Sequence, residues 1–172
     1  MKTFLIASLI FGFALSTTAQ KLNDNASMTT VNANYLSKVY AKDNAIKVNK
    51  LQNLASQYDV RKSDVYKQNN KDTYEVIFEE SNCKIVATYD SNSEIIKSEE
   101  TFNQIRLPYQ LAVKVAKEYP GWKIENKNYY ISYKKEQPVE KIFTVTIKNN
   151  STSKTLKYGL IDEPEISFVV IN

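Results

Sequence analysis

A chain of 172 residues is long enough for one compact fold or for two small units sharing a core, and its lack of histidine removes the commonest general base, metal ligand and pH switch. The 23 basic and 19 acidic residues are spread along the chain; Lys134-Lys135 is the nearest approach to a basic block, and a solvated strand end accounts for it, so nucleic acid is not an expected partner. The one cysteine, Cys83, cannot form an internal disulfide, and without a histidine to activate it the simple Cys/His nucleophile is excluded; at the start of an apolar run it reads as a half-buried strand residue.

Lys2, the apolar run FLIASLIFGFAL and then Thr17-Thr18-Ala19 have the pattern of a secretory signal peptide, 1–19, cut before Gln20. Its removal leaves 22 basic against 19 acidic residues, a formal charge of +3. The apolar run is short for a bilayer, no later segment approaches the needed length, and Cys83 is far from the cut, so the expectation is an exported protein, periplasmic or extracellular, with no membrane span and no lipidated cysteine. Residues 20–43, rich in Asn, Ser, Thr and Lys, are expected to form a flexible leader, with a short helical turn at Tyr35, Leu36, Val39 and Tyr40.

Residues 44–106 read as a first α+β unit. Asp43 or Asn44 is placed to cap a helix whose Val48, Leu51, Leu54, Ala55 and Tyr58 share one side. Alternation then takes over in YEVIF, KIVATY and EIIKSEET, separated by ESN and DSNS, which predicts antiparallel hairpins; Val60 to Tyr66 is a candidate additional strand in front of them.

Residues 107–172 read as a second such unit. Pro108 suits the first turn of a helix, Leu107, Leu111, Val115 and Tyr119 recur every four residues, and Pro120-Gly121 stops it. Strands are expected at Tyr129 to Lys134, Ile142 to Lys148, Thr155 to Ile161 and Phe168 to Ile171. The halves match in pattern: LASQYDV with VAKEYPGW, YEVIF with FTVTI, and ATYD with GLID, with insertions falling in turns.

Ala87-Thr88-Tyr89-Asp90, the hairpin into Ile95-Ile96, the pair Glu99-Glu100, Leu107-Pro108 opening a helix, and Tyr119-Pro120 with Trp122 closing it, give the chain a pattern that resembles the PepSY-like family of exported bacterial proteins, similar in fold to the β-lactamase-inhibitor protein. The resemblance implies tandem α+β units whose sheet presents a surface to another protein, and it supplies no catalytic residues. Ser93 stands where the pattern has glycine, which predicts a longer or looser hairpin, and Pro164 lies in the comparable turn of the second half.

The chemistry agrees with a non-enzyme that needs no cofactor. Adjacent carboxylates in Glu79-Glu80 and Glu99-Glu100 point to opposite faces of a strand, and both pairs are expected at solvated edges or ends. Asp162, Glu163 and Glu165 lack the glycine and spacing of a calcium loop and read as a polar turn; Ser63, Ser91 and Ser132 lack a nucleophile elbow or SxxK context. The twelve tyrosines stand out, because Tyr gives contact area at low rotamer cost.

In NYYISYK, Tyr129, Ile131 and Tyr133 belong to the core face and Tyr130 with Lys134 to the outer one. Tyr130, Lys134, Thr144 and Thr146 are therefore the candidate recognition surface, with Trp122 an additional candidate that also suits a core anchor. The expected function is an exported, non-catalytic module that binds an exported or envelope protein or peptide, inhibitor-like toward a hydrolase; the alternative is a small-molecule or cell-envelope ligand binder using a pocket between helix and sheet. A purely structural envelope protein is a third class.

Overall fold

The alternating segments form a seven-stranded antiparallel sheet whose strands lie side by side in chain order. The structure, a computed structural model, describes residues 32–68, 72–161 and 167–171; the expected signal peptide, the start of the expected leader and the expected polar turn with Asp162, Glu163, Pro164 and Glu165 lie outside the described residues. The strands are β1 (Thr73–Glu80), β2 (Cys83–Asp90), β3 (Ile95–Asn103), β4 (Lys123–Lys134), β5 (Glu140–Asn149), β6 (Thr152–Ile161) and β7 (Ser167–Val170). The helices are α1 (Ala33–Val39), α2 (Ile46–Gln57), α3 (Asp64–Gln68) and α4 (Tyr109–Glu118). The class is α+β, and the two halves share one sheet because β3 pairs with β4 from Lys97↔Lys134 to Asn103↔Asn128.

Register explains the join. Phe102 lies opposite Tyr129, Tyr129 opposite Phe143 and Phe143 opposite Tyr158, so an aromatic ladder crosses β3 to β6 on one face. All four rings are buried, and Tyr129 stacks on Phe143 at 4.0 Å with a 4° interplanar angle. Cross-strand aromatic pairs of this kind stabilise a sheet beyond the area they bury.

The helices cover that same face. At the join, Tyr35 of α1 meets Tyr133 of β4 edge-on at 5.3 Å, and over the first half the Tyr89 hydroxyl donates to the Ala55 carbonyl of α2 at 2.8 Å. Over the second half, Leu111 and Val115 of α4 are buried, and the Tyr158 hydroxyl donates to Glu118 at 3.2 Å. The alternation of buried with half-exposed or exposed residues along β2 and β5 follows from this one-sided cover.

Several local expectations are corrected. The helical turn expected at Tyr35, Leu36 and Val39 is present as α1, but its Tyr35 and Val39 are buried in the core, so residues 33–39 belong to the fold and not to a flexible leader. Val60 to Tyr66 is not a strand but a 3-10 turn followed by α3: Asp59 accepts from the Arg61 N–H at 3.2 Å, and Ser63 accepts from the Tyr66 N–H at 3.3 Å, side-chain bonds that compete with sheet pairing. The helix in the first half is thus followed by helical turns where α4 is followed by β4.

Neither Asp43 nor Asn44 caps α2. Ala45 occupies that position without a side-chain cap, while Asn44 donates to the Asn49 side chain at 3.3 Å. Leu54, expected on the packed side, is exposed, and Gln52 and Ser56 are buried in the α2 interface instead.

Nor does Ser93 loosen its hairpin. It adopts φ 69°, its hydroxyl accepts from the Val60 N–H at 2.8 Å, and its carbonyl accepts from the Asn32 side chain at 3.1 Å. The buried serine holds the left-handed conformation because these bonds fix it from two sides, and a glycine would leave the Val60 N–H without the hydroxyl.

Candidate functional site: the uncovered sheet face

Helices on one face leave the other uncovered among the described residues, and strand alternation decides which side chains reach it. Tyr129, Ile131 and Tyr133 are buried under the helices, which puts Tyr130, Ser132 and Lys134 on the open side. Pairing then builds a row across the sheet: Thr101 beside Tyr130, Tyr130 beside Ile142, Ile142 beside Gly159, and Gly159 beside Val169. Thr144 lies between Asn128 and Lys157, and Thr146 between Asn126 and Thr155, so both continue this surface along β5.

The tyrosine is held in place. Its hydroxyl donates to Glu99, which also accepts from the Ser132 hydroxyl at 3.3 Å and pairs with Lys97 at 3.3 Å. The hydrogen bond to Glu99, followed by partial burial, raises the Tyr130 phenol above its ordinary range, so it remains a neutral donor. Lys134 is exposed at the strand end, opposite Lys97.

Toward β7 the face becomes apolar. Ile161, Val169 and Ile171 are 45%, 45% and 37% exposed. Gly159 makes room for them: a Cβ there would meet Ile171 Cδ1 at 3.1 Å and Val169 Cγ2 at 3.4 Å, so these two side chains lie over the glycine. Sequence alone does not reveal this patch, because Phe168 to Ile171 reads only as a strand and the missing side chain at Gly159 gains meaning only from its neighbours.

Tyr130, Lys134, Thr144 and Thr146 therefore share one surface, whereas Trp122 does not join them. Trp122 is half-buried against the core beside Tyr119, at 6.1 Å between ring centres, with Lys154 Nζ 5.2 Å from its ring centre. Its position is that of an anchor where α4 turns into β4.

The open face offers hydroxyls, amides, mixed charges and apolar area, and the one cysteine lies away from it in the core. Cys83 is buried, and burial raises its thiol above the ordinary range. Among the described residues, no three Asp, Glu or Cys side chains converge as a metal site requires.

A second polar constellation lies on the covered face. Glu99 and Glu100 do point to opposite sides, but Glu100 is fully buried rather than solvated. It accepts from Tyr35 at 2.7 Å, Ser98 at 2.9 Å and Gln52 at 2.9 Å, and the charge of Lys141 acts on it from β5. The available signal was phase: Glu100 is two residues from Phe102, so a register that buries Phe102 also buries Glu100. Compared with family models, curated proteins and solved structures, the chain matches none.

Proposed function

We propose that this protein is an exported, non-catalytic module that binds a protein or peptide through its uncovered sheet face, in the manner of the PepSY-like and β-lactamase-inhibitor-like proteins its sequence resembles. One observation carries the reading: the row Tyr130, Ile142, Gly159, Val169 joins a fixed tyrosine to a partly exposed apolar patch on the face that no described helix covers. Tyrosine next to aliphatic side chains, rimmed by Thr144, Thr146 and Lys134, has the composition of a recognition surface. A partner loop docking across the face buries the apolar area and leaves the hydroxyls to set register.

Inhibition of an exported hydrolase is one use of such a surface, in which the bound loop is withheld from the enzyme's substrate. The test is affinity capture from exported and envelope proteins with the full chain and with a Tyr130→Ala, Lys134→Ala variant whose thermal unfolding matches the parent. Retention of one partner by the parent and its loss from the variant is the expected result. Equal retention by both, or no specific retention by either, defeats the reading.

A further inference from the structure

We propose that the cleft between the starts of α2 and α4 is a binding site for an organic phosphate: a phosphoryl group attached to a ring or other apolar portion. This is a different place from the open sheet face and does not depend on the protein-binding reading. The connection between α1 and α2 and the segment between β3 and α4 together enclose a cavity of about 690 Å³. Its volume is in the range that takes a small organic molecule.

Charge and composition select the ligand. Lys42, Lys47 and Arg106 line the cavity against one carboxylate, Asp43, which leaves two positive charges in excess. None of these three cations makes a hydrogen bond or ion pair within the described residues. The same cavity is lined by Ile46 and Tyr109, which are 87% and 77% exposed, so the cations stand beside unsatisfied apolar area.

The two helices add to the side-chain arrangement. Residues from the starts of α2 and of α4 both line the cavity, neither start has a side-chain cap, and neither first turn has an acidic residue. The positive ends of both helices therefore lie beside the space that the three cations line. Arg106 supplies a planar fork suited to two phosphoryl oxygens, and Lys47 supplies a point charge from the α2 side. A phosphate alone meets these donors but leaves Ile46 and Tyr109 uncovered; a phosphomonoester of a ring compound engages both.

The test is a titration of the full chain, followed by amide NMR shifts, with phenyl phosphate, with inorganic phosphate and with phosphatidylglycerol vesicles. Saturable shifts confined to residues 42–47 and 105–110 are expected, with phenyl phosphate binding several-fold more tightly than inorganic phosphate. A Lys47→Gln, Arg106→Gln double variant should weaken phenyl phosphate about tenfold or more, since each removes a charge-assisted hydrogen bond. The same variant must keep the parent's shifts elsewhere in the sheet, which separates lost binding from lost folding. Vesicle binding that the double variant abolishes, alongside phenyl phosphate binding, assigns the group to a lipid headgroup; phenyl phosphate binding without vesicle binding assigns it to a free phosphoester, and both outcomes uphold the site. No saturable shift in the cleft, equal affinity for phenyl phosphate and inorganic phosphate, or an unchanged affinity in the double variant overturns it.

Discussion

The Tyr35 hydroxyl donates to Glu100 Oε1 at 2.7 Å, tying α1 to the middle of the sheet across 65 residues of chain. Glu100 is also fully buried, and its other oxygen accepts from Gln52 of α2 at 2.9 Å. One carboxylate thereby fixes two helices over β3. A buried carboxyl group is tolerated only while its hydrogen bonds hold, so this cluster ties the seating of both helices to Glu100.

Removing the carboxylate should be costly. Glu100→Ala leaves the Tyr35 and Ser98 hydroxyls without their acceptor, takes from the Gln52 amide the shorter of its two bonds and opens space among buried side chains, a loss of about 3 kcal/mol or more. Glu100→Gln should cost much less. Gln52 Oε1 has no hydrogen-bond partner, so rotation of the Gln52 amide gives the N–H group introduced by the substitution an acceptor, at the loss of the long 3.4 Å bond from Gln52 Nε2 to the Val39 carbonyl, while the Tyr35 and Ser98 hydroxyls keep theirs. Urea unfolding of both variants checks the ranking; a Glu100→Gln protein as unstable as Glu100→Ala rejects it.

Two carboxyls give opposite pH dependences. Burial raises the Glu100 carboxyl, against the lowering effect of its donors and of Lys141, so the folded state holds this proton more tightly than the unfolded chain. Stability from this group therefore falls as pH rises from the unfolded carboxyl value, about 4.3, through the folded value. Asp59 behaves in the reverse sense. Its hydrogen bonds from Arg61 lower it to about 2, so its contribution is present above the unfolded value of about 3.9 and is lost as pH falls through about 2. Denaturation midpoints across this range should lose the first slope in Glu100→Gln and the second in Asp59→Asn.

Much of the sheet was legible because period-two alternation and turn residues are local: the strands, the hairpins and the inward set Tyr129, Ile131 and Tyr133 all follow from short segments. The α4 helix was legible for the same reason. Glu100, Gln52 and Asn32 were not, since each is buried by a partner 24 to 65 residues away. Asn32, for example, accepts from the Ile95 N–H at 2.6 Å and donates to the Ser56 and Ser93 carbonyls, a role that its polar neighbours in sequence conceal. In the candidate site, Tyr130, Thr144 and Thr146 followed from strand phase, whereas Trp122 lies before the strand's first residue and phase could not place it.

The aromatic ladder predicts where the two halves are most sensitive. Tyr129 is fully buried, stacked on Phe143 and 6.2 Å from Phe102 between ring centres. Tyr129→Ala removes a large side chain from the seam between β3 and β5 and should cost about 3–5 kcal/mol. Tyr130→Ala, one residue along but on the open face, should change stability by less than about 1 kcal/mol. Chemical denaturation of the pair checks the alternation directly, and comparable losses for both contradict the assignment of faces.

Gly159 connects packing to the proposed recognition surface. A methyl group at this position meets Ile171 Cδ1 at 3.1 Å and Val169 Cγ2 at 3.4 Å, both on side chains near the end of the described chain. These atoms can shift by a few tenths of an ångström, so Gly159→Ala should alter stability by no more than about 1 kcal/mol. A valine cannot be accommodated by so small a movement and should push β7 away from β6. Hydrogen exchange supplies the distinguishing measurement. The amide of Ile171, which donates to the Lys157 carbonyl at 2.9 Å, should keep its protection in Gly159→Ala and lose it in Gly159→Val, while the buried ladder from Phe102 to Phe143 remains protected in both. If β7 loosens selectively, partner binding through the Tyr130 row should weaken in Gly159→Val without global unfolding; unchanged binding would remove the β7 end of that row from the recognition surface.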